Sequence, residues 1–460
     1  MAVRVPATPV DDVSILGEQL KFPTSKRVAP NRFLKAAMTE RISPWIDGDP
    51  IASGVPSRKL INLYEKWSHG GFGVILTGNI PVDFYHLESA GNMYIDSRFD
   101  SKERRDQFAA LAKAMKSGGE ALAIVQLSHA GRQVPITLNS EPFSASDIQL
   151  MVKRRGTGFG KPKALTEEQI KTEVIDRFAY AAKYSYDAGF DGVQIHSAHG
   201  YLLAQFLSPT TNKRTDQYGG DALNRVRLNL EIYDAIRKAV PDPNFVIGIK
   251  FNSVEFQAEG LNVNDSAIMC EAIDKKGFDF LEISGGTIER LAFQHLSDST
   301  IKREAFFLDF AEKIRPHVKS AITYVTGGWR TAHGMIEAIK SGCTQGIGLG
   351  RPVAAEPDLP KKILSGQVHS AKNSVFEGDF AAGNLAANTQ MAQAGLTSIG
   401  EANGDPCYGI MDLSTPDEAT DYIAAQTQYV IEMQKLAEAN KPIAGVLEYK
   451  FVYPSAASCT

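Results

Sequence analysis

The stretch "IHSAHGYL" places His196, His199 and Tyr201 within six residues. An imidazole offers a ring N–H donor or a metal-ligating nitrogen, and a phenol with a pKa of about 10 keeps its proton at neutral pH. Three readings fit this spacing alone: a metal pair, two donors aimed at a substrate oxygen, or two incidental histidines at a packed helix start. A metal site needs further His or Asp ligands nearby. The companion positions described below are instead Thr77, Gln126, Lys250 and Ser284, which are poor ligands for a soft metal. No metal is therefore expected.

Two glycine motifs add a second kind of chemistry. "TGGWR" carries Gly328 and Trp329, and "GLGRP" carries Gly350 and Arg351. Glycine lets backbone N–H groups approach a phosphate closely, and arginine presents a planar fork to its oxygens. Tight turns alone would also explain the glycines, but two such motifs at consecutive strand ends favour a phosphate site. No G-x-G-x-x-G follows a strand, and "GTGFGKPK" lacks P-loop spacing. A phosphate-bearing cofactor held by the main fold is the economical remainder.

Something must bring these residues together. Eight short apolar runs recur, at 33–38, 72–78, 121–127, 192–196, 245–251, 278–284, 321–327 and 346–350. Most are continuous rather than alternating, as in parallel strands buried on both faces. Segments of helical period separate them. One begins with the capping box Thr166–Gln169 and stops at Gly189. The pattern predicts an α/β fold, a (β/α)8 TIM barrel over residues 14–370 with a C-terminal helical extension over 371–460. In such barrels the catalytic groups sit at the carboxyl ends of the strands. All the residues above fall there, as do Ala37, Met38, Thr39, Gly78 and Gln126, and Ser284 with Gly285 and Gly286.

In the extension, a Gly/Ala/Asn-rich patch (377–405) precedes a helix predicted near 416–439. Thr415 is its expected cap, Pro416 its first residue, and Glu418 completes a second capping box. The apolar face of Tyr422, Ile423, Val430 and Met433 would pack on the barrel or on another copy in a homo-oligomer. A long connection after the third strand (128–165) carries the basic run Lys153, Arg154 and Arg155. It is read first as a solvated loop, with a seat for an anionic group such as the NADPH phosphate as the alternative.

Bulk composition narrows the classes. The net charge of −4 gives no reason to expect nucleic acid or an anionic membrane as a partner. The four cysteines form no C-x-x-C pair, which argues against a structural zinc, a cluster or a disulfide framework. No apolar h-region opens the chain and no apolar run reaches membrane-spanning length. A cytoplasmic protein is expected.

The motifs together resemble a known family. "IHSAHGYLLAQFLSPTTNKRTDQYGGDALNRVR", "QLSHAGR" and "GLGRP" occur in the order and spacing of the Old Yellow Enzyme family of flavin oxidoreductases. The resemblance implies noncovalent FMN, reduced by NADH or NADPH, which then reduces the activated C=C bond of an α,β-unsaturated carbonyl compound at the same site. It implies that Ala37, Met38 and Thr39 border the flavin and that Gly78 leaves room for its ring. Gln126 would bind the pyrimidine edge. Gly328, Trp329, Gly350 and Arg351 would cradle the phosphate. His196 and His199 would grip the substrate carbonyl oxygen, and Tyr201 would give the proton. Lys250 stands where the family usually has arginine, keeping the charge and losing the fork. The alternatives are a flavin-dependent isomerase, an NAD(P)H oxidase, or a barrel aldolase with Lys250 as Schiff base.

Overall fold

The computed structural model describes residues 2–252, 260–284 and 313–450. The expected Gly285 and Gly286 lie outside them. All eight apolar runs are strands: β1 (Phe33–Lys35), β2 (Val74–Pro81), β3 (Leu122–Ser128), β4 (Gly192–Ser197), β5 (Val246–Asn252), β6 (Phe280–Ser284), β7 (Ile322–Thr326) and β8 (Gly346–Leu349). They pair in parallel, in sequence order, and β8 returns to β1 to close the barrel. The fold is a (β/α)8 barrel, as predicted.

Helices α1 (Arg58–Ser68), α2 (Lys102–Met115), α3 (Asp176–Asp187), α4 (Leu202–Leu207), α5 (Ala222–Ala239), α6 (Val263–Lys276) and α7 (Ala332–Lys340) follow strands. Local side chains fix where several begin. Ser57, Ser101, Asp221, Asn262 and Thr331 each accept a bond from a first-turn backbone N–H. The predicted Thr166–Gln169 capping box is formed. Gly189 takes φ +91° just past α3, where a Cβ would be strained.

Side chains alternate in and out along each strand. Outward residues such as Ile75, Val125, Val193 and Ile249 pack on the helices. The inward set starts apolar at the barrel floor, with Leu34, Val74, Leu122, Val246, Phe280 and Ile322. A two-residue hairpin, Leu20–Lys21 with Val28–Ala29, plugs that floor, and Phe22 stacks on Phe280 at 5.6 Å. Gly248 makes room, since a Cβ there would lie 2.2 Å from the Phe280 ring. Higher in the barrel, inward positions turn polar at Gln126, Gln194, Lys250 and Glu282. The site is thus the upper continuation of the core.

Among the described residues beyond 370 there are two helices, α8 (Phe380–Ala394) and α9 (Pro416–Glu438). The composition of 377–405 suggested no helix, yet α8 is there. The α9 helix was expected, and Thr415 does precede Pro416. The Thr415 side chain makes no capping bond, however, and its hydroxyl instead donates to the Asp412 carbonyl (3.0 Å). The second capping box is therefore not formed. Tyr422 and Met433 are buried, whereas Ile423 is exposed. The extension returns to the mouth of the same barrel: Asn388 donates to the Thr39 carbonyl (2.7 Å), and Arg41 donates to the Ile443 carbonyl (2.9 Å). No helix among the described residues is long and apolar enough to cross a membrane.

Candidate active site

The β4 end carries the expected trio. His196 is the last inward residue of β4, and His199 and Gly200 both take positive φ, +60° and +76°. Positive φ is uncommon for a residue other than glycine, and such strain gathers at functional sites. Surrounding bonds hold the turn. Gln133 donates to the His199 carbonyl (2.7 Å), and Gln205 donates to the Gly200 carbonyl (2.7 Å). The reversal brings His199 back over His196 and sets Tyr201 at the start of the buried helix α4.

The imidazoles form one chain. The His196 Nε2 and His199 Nδ1 atoms face each other at 3.3 Å. Outside them, Ser128 Oγ lies 3.1 Å from His196 Nδ1 and Ser284 Oγ lies 2.9 Å from His199 Nε2. Burial, reinforced by the Lys250 charge, holds His199 down to about 3. Burial, then His199 and Lys250, keeps His196 well below the ordinary imidazole range. Both rings are neutral at pH 7, so each has one N–H to give. If the serine hydroxyls donate to the outer nitrogens, the two inner nitrogens carry the protons and converge on one point. Tyr201 lies with its ring 4.8 Å from that of His196. Burial, then the Glu88 carboxylate, pushes its phenol above the ordinary value, against the Arg154 guanidinium that bonds it. It therefore remains a proton donor at neutral pH.

Below the trio lies a buried polar layer. Gln126 donates to Gln194 (2.7 Å), Gln194 to Glu282 (2.7 Å), and Lys250 to the same carboxylate (2.8 Å). Thr326 donates to it as well, at 2.6 Å. Lys250 and Glu282 are a buried ion pair. A paired ammonium is no free amine for attack on a carbonyl, which removes the support for the Schiff-base alternative. Gln194 and Glu282 were not singled out in the sequence. Their signal was a lone polar residue inside an otherwise apolar strand, in "GVQIH" and "FLEIS".

The remaining expected positions gather around the mouth. Ala37, Met38, Thr39 and Arg351 line one cavity of about 170 Å³. Thr39 Oγ1 donates to Asn79 Oδ1 (2.6 Å). At Gly78, Glu40 Oε2 and the Met38 carbonyl oxygen lie 2.2 and 2.5 Å from where a Cβ would be. The space expected there for a ring is thus taken by Glu40, which accepts from the Gly78 N–H at 3.0 Å. Gly328 has φ +78°, and at Gly350 a Cβ would meet nothing closer than Met38 Sδ at 3.9 Å. Trp329 is buried and its indole donates to the Val325 carbonyl (2.8 Å), so only its backbone can face a ligand. Arg351 lies over the Phe380 ring at 5.2 Å.

Among the described residues, one other group brings ligand-type atoms together: Asp83, His86 and His129, within 4.8 Å of one another. His86 donates through Nδ1 to Asp83 (2.9 Å) and accepts the Phe143 N–H through Nε2 (2.8 Å). Both of its nitrogens are spent, so the group reads as a hydrogen-bond network.

A family model described as the NADH:flavin oxidoreductase / NADH oxidase family matches residues 28–369. The chain belongs to this family. Among curated proteins, the NADH-dependent flavin oxidoreductase nadA of Aspergillus parasiticus is 46% identical over 363 residues, 78% of this chain and 81% of that one. The NADH-dependent flavin oxidoreductase iliE of Hypocrea jecorina is 34% identical, covering 75% and 87%. Among solved structures, an old yellow enzyme homologue from Zymomonas mobilis matches with a TM-score of 0.63 at 22% identity, over 78% of this chain and 95% of that one. Morphinone reductase in complex with tetrahydroNAD matches with a TM-score of 0.61 at 22% identity, over 78% and 92%. The Old Yellow Enzyme resemblance is borne out, and the chain is a flavin oxidoreductase with NADH or NADPH as reductant. The mouth fits the family's cofactor: a cavity along Ala37–Thr39 reaches Arg351, and Gly350 leaves its backbone open.

Proposed function

We propose that this flavin oxidoreductase is an ene-reductase, with α,β-unsaturated carbonyl compounds as substrates. The observation that carries the reading is the pair of neutral imidazoles facing each other at 3.3 Å beside a protonated, buried phenol. Bound FMN supplies hydride chemistry between NAD(P)H and an electron-poor C=C bond. The backbone at Gly328, Trp329 and Gly350, with Arg351, would hold its phosphate. Ala37, Met38 and Thr39 would border its ring, with Gln126 and Lys250 toward its polar edge.

The chain's own contribution follows from electrostatics. A carbonyl oxygen between His196 Nε2 and His199 Nδ1 accepts two hydrogen bonds. Those bonds strengthen as the oxygen gains enolate charge, so they lower the barrier rather than merely bind substrate. Tyr201 then gives its proton to the α-carbon. The relatives include a Thermoanaerobacter brockii protein named "NADH oxidase", and an oxidase or isomerase using the same cofactor is the competing reading.

The test is a two-step stopped-flow experiment. Yellow protein should bleach with NADH or NADPH and recover with cyclohexenone under anaerobic conditions. In Tyr201→Phe, bleaching should keep its rate while recovery slows by about a hundredfold or more. Recovery by oxygen alone, with no response to enones, would favour the oxidase. Equal rates in both steps would remove Tyr201 as the acid.

A further inference from the structure

We propose that Arg41, Arg154 and Arg155 form an anion subsite beside Tyr201, which takes a carboxylate or phosphate group of the ligand. The backbone builds it from two places. Arg155 and Gly156 take φ +52° and +80°, and Arg154 and Thr157 exchange reciprocal backbone bonds of 2.9 and 3.0 Å. Two positive φ values in a row make the tight turn of a two-residue hairpin. The turn sets Arg154 and Arg155 along the mouth cavity, Arg155 half-buried and Arg154 with its side chain still 40% exposed, and leaves Lys153 in solvent. Arg41 arrives from the β1 loop, buried and also at positive φ, +62°.

The charges do not balance. Glu88 is the carboxylate that lines the cavity with these three guanidiniums. Its Oε1 accepts from Arg154 at 2.8 Å, while its Oε2 is buried with no hydrogen-bond partner. Arg155 has a neutral partner, Asn388 Oδ1, at 3.2 Å. Arg41 spends one nitrogen on the Ile443 carbonyl, and its buried Nε has no partner. Burial, then the neighbouring guanidiniums, holds Arg155 well below the ordinary arginine range. Clustered, partly desolvated cations of this kind are costly until an anion joins them. Guanidinium forks suit the paired oxygens of a carboxylate or phosphate.

Position says what brings the anion. Arg154 bonds the Tyr201 hydroxyl, so the anion lies next to the proton donor and belongs to a ligand of the reaction site itself. Two ligands qualify: an enone that carries a carboxylate, or the dinucleotide through its phosphates. The choice between them rests on the ene-reductase reading; anion binding does not.

The experiment therefore has two arms on the holoprotein. In the first, wild type, Arg155→Ala and Arg155→Lys are titrated by calorimetry with succinate and with inorganic pyrophosphate. At least one anion should bind wild type, weaken about tenfold in Arg155→Ala, and recover partly in Arg155→Lys. In the second, kcat/KM is measured for 4-oxopent-2-enoate and for its methyl ester, and the NADH and NADPH dissociation constants come from the bleaching step. An acid-to-ester ratio that falls about tenfold in Arg155→Ala assigns the subsite to the substrate. A dinucleotide constant that rises about tenfold, with the ratio unchanged, assigns it to the reductant. If neither anion binds, or if Arg155→Ala binds both as tightly as wild type, the subsite is overturned. If neither enone turns over, the ene-reductase reading fails and the titration alone decides the subsite.

Discussion

Each inner nitrogen of the histidine pair can point its proton at a ligand only if the outer nitrogen accepts one. Ser128 and Ser284 stand where they can supply it, at 3.1 and 2.9 Å. They act through the histidines and are positioning residues. Ser284→Ala frees His199 to carry its proton on Nε2, away from the carbonyl oxygen. The expected outcome is a loss of about tenfold in the enone step, roughly the 1.4 kcal/mol of one weakened hydrogen bond. The NADH bleaching step should be unchanged, and a purely structural defect would slow both. The trio was legible in the sequence because its residue types are scarce and closely spaced. Ser128 was not: nothing in "QLSHAGR" says which inward residue of β3 will face β4. The closed barrel decides it, since the register pairs Gln126 with Gln194 and leaves Ser128 one inward step higher, beside His196.

The strands were readable because most are continuous apolar runs, and their order follows from the barrel they must close. Helix α8 was missed for an opposite reason. A surface helix shows one apolar stripe, but residues 386–394 of α8 are all buried, polar ones included. Its polar side chains instead serve as ties. Asn388 reaches the Thr39 carbonyl, Gln393 donates to the Lys450 carbonyl (2.6 Å), and Thr389 pairs with the Tyr422 hydroxyl (3.0 Å). Such a pattern looks like loop composition until the partners are known. Asn388 matters most to the site, because it joins Thr39 on one side and Arg155 on the other. Asn388→Ala should lower stability by about 1 kcal/mol in urea unfolding, the cost of leaving a half-buried carbonyl without its donor. A loss within a few tenths of a kcal/mol would mean that water replaces the amide and that α8 is held by its other contacts.

At the scale of the whole molecule, the barrel buries a charge that no catalytic argument needs. Lys35 faces outward from β1 into the layer under α1, fully buried. Its ammonium donates to the Leu76 carbonyl (2.9 Å) and lies over the Trp67 ring at 4.1 Å. Burial nevertheless wins and pushes Lys35 down to about 7. The folded value lies below the unfolded one of about 10.4, so between the two the unfolded chain holds the extra proton. This group therefore makes the fold more stable as pH rises from 7 to 10, and the gain is lost as pH falls back to 7. The thiols of buried Cys270 and half-buried Cys407, pushed up by desolvation, work the other way above their unfolded value of about 8.5. Overall stability thus mixes two opposed slopes, and only a difference between variants isolates Lys35. Lys35→Met removes its titration and leaves the thiols in place. Unfolding free energies of variant and wild type, taken in urea at pH 7, 8.5 and 10, should differ most in the variant's favour at pH 7, and that advantage should shrink steadily toward pH 10. A constant difference across the series would show that Lys35 keeps its proton in the fold, held by Leu76 and Trp67 against the cost of burial.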